Sequence, residues 1–371
     1  MSLRRAALLT MGFFFLASLR GSAATPPLAS ALEPIREQYH LPALAGAIFT
    51  TDGVTEMAAV GVRKAGTTVP VTANDEWHLG SDTKAMTATL AGTFVAERKL
   101  SWDARIVSFF PELKDRVPAA MRYITLGDVL CHRAGLAENL DWARLSRLRT
   151  TVAQQRVIAV REALTSPAYA PGTFHYANTG YVVAGAVLER ISGQPWEQLM
   201  RQRLFRPLKM AGAGFGGTGT RGRIDQPWPH LADGKPTPEN GFMTDNPPVM
   251  APAGEVHCPM TAWARFLADQ LRGAAGDSSA LLPAAIYRAI QTPRPGADYA
   301  FGWSVARRPW AGGTVLTHAG SNTMNYAVCW LAPKKGFGVL VCCNQGGDIA
   351  AKACDEASAA LIQHYQSGHV P

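Results

Sequence analysis

Two short apolar segments in the first quarter of the chain alternate in the manner of β-strands. They cover residues 44–50 and 54–62 and are separated by Thr51-Asp52-Gly53. An Asp-Gly pair between two apolar runs is a strong signal for a hairpin. The pattern therefore predicts two antiparallel strands joined by a tight turn.

The middle of the chain has mostly the spacing of helices. Apolar residues recur with a helical period in residues 81–98, 125–132, 152–165, 178–192, 195–205 and 260–272. The segment 212–255 is rich in Gly, Pro and Asn and is predicted to be loop. No internal repeat interrupts this order.

Strand-like segments return near the C-terminus. They cover residues 299–305, 314–317, 325–332 and 337–343, and a helix is predicted at 349–365. Strands at both ends with helices between them favour an α+β fold over a parallel doubly wound fold. We expect an antiparallel sheet built from N- and C-terminal strands and flanked by helices. Residues 25–80 and 295–371 would form this sheet region, and residues 81–294 an inserted, mostly helical region of the same domain.

The first 24 residues have the pattern of a secretory signal peptide. Arg4 and Arg5 precede an apolar run at 6–19, and small residues at 21–24 offer a cleavage site. The run is shorter than the ~20 residues that a membrane-spanning helix needs, which disfavours the alternative of an uncleaved anchor. We therefore expect a secreted or periplasmic protein with no stable membrane anchor after cleavage.

Composition and charge narrow the class of protein further. The chain has 371 residues, of which 47% are hydrophobic, so it is long and apolar enough to build a large core. Its formal charge of +8 falls to +5 without residues 1–24, and it contains no long block of Lys and Arg. A nucleic-acid partner is therefore not expected. Of the six cysteines, several lie in apolar runs, and we expect most to be buried core residues.

The first candidate for chemistry is Gly80-Ser81-Asp82-Thr83-Lys84, where a loop leads into a predicted helix. Positions i and i+3 share one helix face, so Lys84 lies one turn from Ser81. A lysine whose pKa is lowered by burial can take the proton of a serine hydroxyl and make it nucleophilic. The ordinary alternative is that Ser81 caps the helix and Lys84 is exposed.

The second candidate is the pair Tyr176 and Asn178, which follows a Pro-Gly turn. A tyrosine near a lysine can serve as a phenolate base, and an Asn amide can orient a substrate carbonyl or the lysine. The alternative is a buried tyrosine bonded to the backbone, with Asn178 near the start of a helix as its cap.

The third candidate, Thr317-His318-Ala319-Gly320-Ser321, follows a strand-like run. Gly320 would let a substrate approach the strand backbone closely. His318 could carry a positive charge or shuttle a proton, and the backbone N–H of Ser321 could bind an oxyanion. Alone, this segment would favour the alternative of a surface histidine at a strand end.

In this order, the three segments resemble the serine β-lactamase and penicillin-binding-protein-like family. The resemblance is to its class C branch, which includes DD-peptidases and β-lactamase-like carboxylesterases. It extends over nearly the whole chain after residue 24 and includes the segments 100–103, 124–136, 176–181, 205–210 and 252–255.

The resemblance implies a serine hydrolase that works through a covalent acyl-enzyme. Ser81 would be the acylated nucleophile, and Lys84 and Tyr176 would handle the proton. The backbone N–H groups of Ser81 and Ser321 would form the oxyanion hole. No metal and no organic cofactor would be needed, and the substrate would be a small-molecule ester, amide or peptide.

The resemblance also implies a substrate-binding set of Asn178, His318 and Gly320, and here the chain departs from many relatives. Many β-lactamases carry Lys-Thr-Gly where this chain has His318-Ala319-Gly320. The change weakens an anchor for a substrate carboxylate. We therefore expect a carboxylesterase or D-amino-acid peptidase. The alternatives are a β-lactamase, or a penicillin-binding or cell-wall-binding protein that does not turn over.

Other motifs predict less. Residues 214–219 match Gly-x-Gly-x-x-Gly but follow a helix-like segment, so they are expected to be loop rather than a nucleotide site. The Cys-His pairs at 131–132 and 257–258 lack a second pair at metal-ligand spacing. The sequence does not indicate the oligomeric state, the deacylation base or any disulfide pairing.

Overall fold

The computed structural model describes residues 27–241 and 244–368, so the predicted signal at residues 1–24 lies outside the described part. The helices are α1 (Pro27–Gln38), α2 (Thr83–Ala96), α3 (Leu126–Leu130), α4 (Trp142–Ser146), α5 (Val152–Thr165), α6 (Asn178–Ser192), α7 (Trp196–Met200), α8 (Ala251–Gly254), α9 (Met260–Ala275), α10 (Ala284–Gln291) and α11 (Gly347–Gly368). The strands are β1 (Ala43–Thr50), β2 (Gly53–Gly61), β3 (Glu76–His78), β4 (Gly214–Phe215), β5 (Val256–Pro259), β6 (Ser304–Arg308), β7 (Gly313–Ser321), β8 (Tyr326–Ala332) and β9 (Phe337–Cys343).

Strands from both ends of the chain form one six-stranded sheet. Its order is β2-β1-β9-β8-β7-β6, and every neighbouring pair is antiparallel. Because alternate residues of a strand point to opposite faces, β1 sends Leu44 and Ile48 to one face and Ala45 and Ala47 to the other. The predicted α+β fold, with an antiparallel sheet flanked by helices, is confirmed.

The two faces of the sheet are covered by different parts of the chain. Helices α1 and α11 pack on one face, where Leu28, Leu32 and Leu361 join a buried apolar cluster. The other face meets α9 and the helical region, whose central helix α2 is buried along nearly its whole length. A helix that is apolar or small on all sides is typical of a core position. The N-terminus of α2 therefore lies inside the protein, between the sheet and the other helices.

Several elements differ from the sequence-based expectation. Helices α1 and α10 were not predicted, and the segment 212–255 holds β4 and α8 as well as loop. The predicted strand at 299–305 is instead β6, at Ser304–Arg308. Residues 299–303 are buried, which explains their apolar pattern, but Gly302 has φ +79° and interrupts an extended chain. Strand β7 runs on through Ser321 because residues 318–321 keep their pairing with β8.

All six cysteines lie in the described part, and all are buried and unpaired. The expectation that most are core residues is confirmed. Among residues 27–241 and 244–368, none of the helices combines the length and hydropathy needed to cross a membrane.

Candidate active site

Ser81 and Lys84 lie where a short 3₁₀ turn, Gly80–Asp82, leads into α2. The Nζ atom of Lys84 is 2.8 Å from Oγ of Ser81. Ser81 is half-buried, whereas Lys84 is fully buried. The exposed lysine of the alternative interpretation is therefore wrong, and the two side chains share one helix face as the spacing predicts.

The surroundings of Lys84 make its neutral amine available near neutral pH. Burial lowers the pKa of Lys84 to about 7, and the neighbouring Asp82 opposes this shift. Asp82 is itself buried, which raises the pKa of its carboxyl well above the usual range, and its Oδ1 accepts the thiol of Cys329 at 3.5 Å. The carboxyl is thus a weak counter-charge, so it does little to hold the proton on Lys84.

The contacts of Lys84 also orient its lone pair. Besides Ser81, Nζ lies 2.8 Å from Oδ1 of Asn178 and 2.8 Å from the carbonyl oxygen of Ala253 in α8. These two oxygens only accept hydrogen bonds. A neutral amine has two N–H groups and one lone pair, so donating to both carbonyls leaves the lone pair facing the hydroxyl of Ser81. In that state Ser81 donates its proton to Lys84, as a nucleophile does to its base.

Tyr176 and Asn178 come from the segment that opens α6. The ring centroid of Tyr176 is 4.8 Å from Nζ of Lys84, and its hydroxyl has Ser81 as a hydrogen-bond partner. Burial raises the pKa of Tyr176, which its hydrogen bond with Ser81 only partly offsets. These surroundings favour the phenol over the phenolate, so the hydroxyl is placed to donate or relay a proton. Asn178 donates from Nδ2 to Oδ1 of Asn139 at 2.9 Å.

The end of β7 lies directly against the turn that carries Ser81. A Cβ on Gly320 would come within 2.1 Å of the Leu79 carbonyl oxygen and 2.6 Å of the Ser81 nitrogen. A Cβ on Gly80, which has φ +49°, would lie 2.4 Å from the Ser321 nitrogen. The structure thus brings the backbone nitrogens of Ser81 and Ser321 together. It also corrects the reason for Gly320, since the nearby backbone that excludes a side chain is that of residues 79–82.

His318 is buried and neutral. Burial, and secondarily the charge of Lys84, lower its pKa to about 3. Its Nδ1 lies 2.8 Å from the Ala319 carbonyl oxygen and its Nε2 lies 3.0 Å from the Tyr299 hydroxyl. Because the carbonyl only accepts, Nδ1 carries the hydrogen and Nε2 accepts from Tyr299. A positive charge, one of the two roles that the sequence left open for His318, is therefore disfavoured by these surroundings.

The sequence reasoning missed a cluster of rings behind Tyr176. The ring centroid of His132 lies 4.3 Å from that of Tyr176 and 4.7 Å from that of Tyr299. Nδ1 of His132 accepts the backbone N–H of Ala177 at 3.0 Å. His132 therefore fixes the segment between Tyr176 and Asn178. It belongs to the segment 124–136 noted for its resemblance, but no spacing rule ties it to residues some 45 positions away.

Within residues 27–241 and 244–368, no three or more His, Cys, Asp or Glu side chains are grouped so as to hold a metal ion. The pairs Cys131-His132 and His257-Cys258 do not converge on such a group.

Comparison with known proteins extends these observations. The family model described as Beta-lactamase matches residues 28–363. Penicillin-binding protein 4 of Amycolatopsis lactamdurans is 31% identical over 182 residues, which is 47% of this chain and 45% of that protein. A lovastatin esterase of Penicillium rubens is 29% identical over 165 residues, or 39% of this chain and 41% of that protein. The chain spans less than half the length of the first curated relatives it matches.

A solved structure shows the same fold at lower sequence identity. The octameric penicillin-binding protein homologue from Pyrococcus abyssi superimposes with a TM-score of 0.73 at 21% identity, covering 91% of this chain and 77% of that one. At this identity the likeness establishes the fold alone.

Proposed function

The chain belongs to the Beta-lactamase family, and on this premise we propose that it is an exported serine hydrolase that cleaves an ester or amide through an acyl-enzyme on Ser81. The observation that carries the proposal is the contact between the Ser81 hydroxyl and a fully buried Lys84 amine at 2.8 Å. A serine becomes a nucleophile when an adjacent base of lowered pKa takes its proton. Proteins named β-lactamase, carboxypeptidase and esterase are all among the relatives of this chain.

Acylation follows from the positions of the groups. Oγ of Ser81 attacks the substrate carbonyl carbon while its proton passes to Nζ of Lys84. The carbonyl oxygen becomes an oxyanion between the N–H groups of Ser81 and Ser321, and loss of one such donor costs about 2.7–4 kcal/mol of transition-state stabilisation. The carbon–oxygen or carbon–nitrogen bond then breaks, and the leaving group takes the proton through Lys84 or the Tyr176 hydroxyl.

Deacylation returns the enzyme to its starting state. Departure of the protonated leaving group frees the amine of Lys84. A water molecule that reaches the acyl carbonyl then loses a proton to this amine, attacks the carbon and displaces Oγ of Ser81, which takes the proton back. The same buried base thus serves both halves of the reaction.

The sheet side of the site supports an uncharged substrate. His318 is neutral, where many relatives have the lysine of Lys-Thr-Gly. On the helical side, the exposed carboxylate of Glu138 lies close enough to help raise the pKa of Tyr176, after burial and Asp82. A substrate carboxylate would gain no charge from His318. We therefore rank a neutral ester or amide before a β-lactam or a peptide with a free C-terminus.

A hydrolysis panel tests the proposed function. Purified protein without residues 1–24 is incubated with a short-chain p-nitrophenyl ester, a chromogenic cephalosporin and a D-Ala-D-Ala peptide, beside Ser81→Ala. We expect turnover of the ester that falls by about 10⁵–10⁶-fold in the variant. Turnover of none of the three, or turnover that Ser81→Ala leaves intact, would sink the mechanism. A stable adduct on Ser81 without turnover would instead identify a binding protein.

Export is a separate part of the proposal and rests on the pattern of residues 1–24. Expression of the full chain in a bacterium with a periplasm, followed by N-terminal sequencing of the product, tests it. We expect the mature chain to begin at Thr25 in the periplasm or medium, and a product that keeps Arg4 and Arg5 would contradict cleavage.

A further inference from the structure

One buried carboxylate joins the two segments that form the oxyanion hole. The side chain of Asp245 has no solvent exposure. Its Oδ2 lies 2.7 Å from Nε2 of His78, and its Oδ1 accepts Nδ2 of Asn322 at 2.9 Å. His78 ends β3, just before Ser81, and Asn322 directly follows Ser321. Asp245 therefore contacts both sides of the site without being part of either.

The first series of hydrogen bonds runs from Asp245 through His78 to the turn that carries the nucleophile. Nδ1 of His78 accepts the backbone N–H of Gly80 at 3.1 Å, so the ring hydrogen lies on Nε2 and is donated to Asp245. The accepted N–H belongs to the residue next to Ser81. With its tautomer set by these two bonds, the ring fixes the orientation of the Gly80 peptide and hence the start of the turn.

The second series of hydrogen bonds runs from Asp245 through Asn322 to the end of β7. While Nδ2 of Asn322 is held by Asp245, its Oδ1 accepts the backbone N–H of Met324 at 3.2 Å and of Asn325 at 3.0 Å. The hydroxyl of Ser321 donates to the Asn325 carbonyl oxygen at 2.7 Å. The turn after β7 is thus closed around the Asn322 amide, which fixes the peptide that includes Ser321.

We propose that Asp245 is a positioning residue. It holds the backbone N–H groups of Ser81 and Ser321 at the separation and orientation that form one oxyanion hole. Its role in catalysis rests on the function proposed above. A misplacement of about 1 Å in a catalytic group can cost about 10²-fold in rate, so a fixed link between two distant segments has a measurable effect. The carboxylate suits this place because both of its partners, Nε2–H and Nδ2–H, are donors.

The substitution Asp245→Asn tests the proposal with little change in volume. An Asn side chain has one acceptor oxygen and one NH₂ group, so its NH₂ must face either His78 or Asn322, both of which donate. We expect kcat for a p-nitrophenyl ester to fall by about 10- to 100-fold while KM changes less than about threefold. The infrared carbonyl stretch of the acyl-enzyme should move to higher frequency, because its hydrogen bonds weaken.

The matched control is Asp269→Asn. Asp269 is also a buried aspartate, and it accepts the hydroxyl of Tyr287 and the N–H of Leu281, away from the Asp245 contacts. This variant should lower Tm but keep kcat and the carbonyl frequency. If Asp245→Asn does not fold, Asn322→Ala removes the second series of hydrogen bonds alone and should show the same kcat loss. Unchanged kcat and carbonyl frequency in a folded Asp245 or Asn322 variant would overturn the proposal.

Amide hydrogen exchange separates this proposal from the proposed function. In Asp245→Asn, peptides that contain residues 79–82 and 320–325 should both exchange faster, while β1 and β9 keep their protection. If the wild-type protein is never acylated, the proposed hydrolase function fails, yet the exchange data still decide whether Asp245 holds the two segments. Protection equal to wild type in either segment would contradict the link.

Discussion

On the helical side of the site, the side chains of Ser81, Lys84 and Tyr176 lie within hydrogen-bond contact of one another. On the sheet side, β7 presents mainly backbone, together with a neutral histidine whose two nitrogens are bonded to Ala319 and Tyr299. In the proposed mechanism the first side contains the groups that react, and the second contains groups that surround the reacting carbonyl. We therefore expect changes on the helical side to remove the chemistry and changes on the sheet side to alter which substrate is accepted.

Burial has opposite uses on the two sides. It lowers the pKa of Lys84 to about 7, where the amine can act as a base near neutral pH. It lowers the pKa of His318 to about 3, so the imidazole is uncharged near neutral pH. Burial therefore gives the Lys84 amine the pKa of a base and leaves His318 without a charge.

After the loss of the nucleophile in Ser81→Ala, replacing Lys84 should give the largest loss on the helical side. We expect Lys84→Ala to lower the acylation rate by about 10³–10⁴-fold, because Ser81 loses its base. Stopped-flow measurement of the p-nitrophenolate burst gives this rate. The exposed Lys114→Ala is the control and should acylate like wild type. A fall of less than tenfold in Lys84→Ala would mean that another group activates Ser81.

Removing the hydroxyl of Tyr176 should have the next largest effect. Tyr176→Phe keeps the ring packed on His132 but deletes the proton relay, so we expect kcat to fall by about 10²–10³-fold with a smaller change in KM. Steady-state kinetics on the ester and on an anilide test the relay role. The anilide has the poorer leaving group, which depends on proton donation, so kcat for the anilide should fall more than kcat for the ester. The control is Tyr39→Phe, whose hydroxyl donates to Glu356 on the surface.

The pH dependence of acylation identifies the base directly. A base must be deprotonated, so with the pKa of Lys84 at about 7 the rate should level off at higher pH and fall as the pH drops below 7. At pH 5 it should be about 10²-fold below the plateau. Pre-steady-state rates from pH 4.5 to 9, with activity rechecked at pH 8, measure this. A rate that stays constant down to pH 5 would exclude Lys84 as the base.

Changing His318 should have the smallest effect on a neutral ester and a larger effect on selectivity. We expect His318→Ala to change kcat/KM for the ester by less than about tenfold, because the ring takes no part in the proton transfer. His318→Lys should raise the ratio of cephalosporin to ester hydrolysis, because it adds charge beside the substrate. The control is His364→Ala, a half-buried histidine bonded to Glu56. Equal losses of ester hydrolysis in His318→Ala and Lys84→Ala would contradict the expected difference between the two sides.

The sequence could predict the parts of the site that lie close together along the chain. Helical spacing alone places Ser81 and Lys84 on one face, and the Asp-Gly turn predicts the hairpin of β1 and β2. The order of strand-like and helical segments predicts the α+β fold, and the resemblance to a family connects the three segments. Local pattern did not show that Gly80 and Gly320 exclude each other's side chains, since that contact arises only when β7 packs on the nucleophile turn.

Contacts made by tertiary packing explain what the sequence missed. Asp245 lies in a segment rich in Gly, Pro and Asn that has no periodic pattern, yet its carboxylate is buried between His78 and Asn322. The neutral state of His318 also follows from the burial of its ring, whose Nε2 faces the Tyr299 hydroxyl, and a histidine in the sequence does not reveal this burial. Residue identity indicated which chemistry was possible there, and burial decided which form is present.

The central claim is that the reaction proceeds through an acyl group on the hydroxyl of Ser81. Rapid acid quench of the wild-type protein with a p-nitrophenyl ester, followed by peptide mass mapping, tests it most directly. We expect one acyl group per chain, on the peptide that contains Ser81, and none there in Ser81→Ala. An acyl group on a different residue, or full hydrolysis with no acyl group on Ser81 at any quench time, would contradict it.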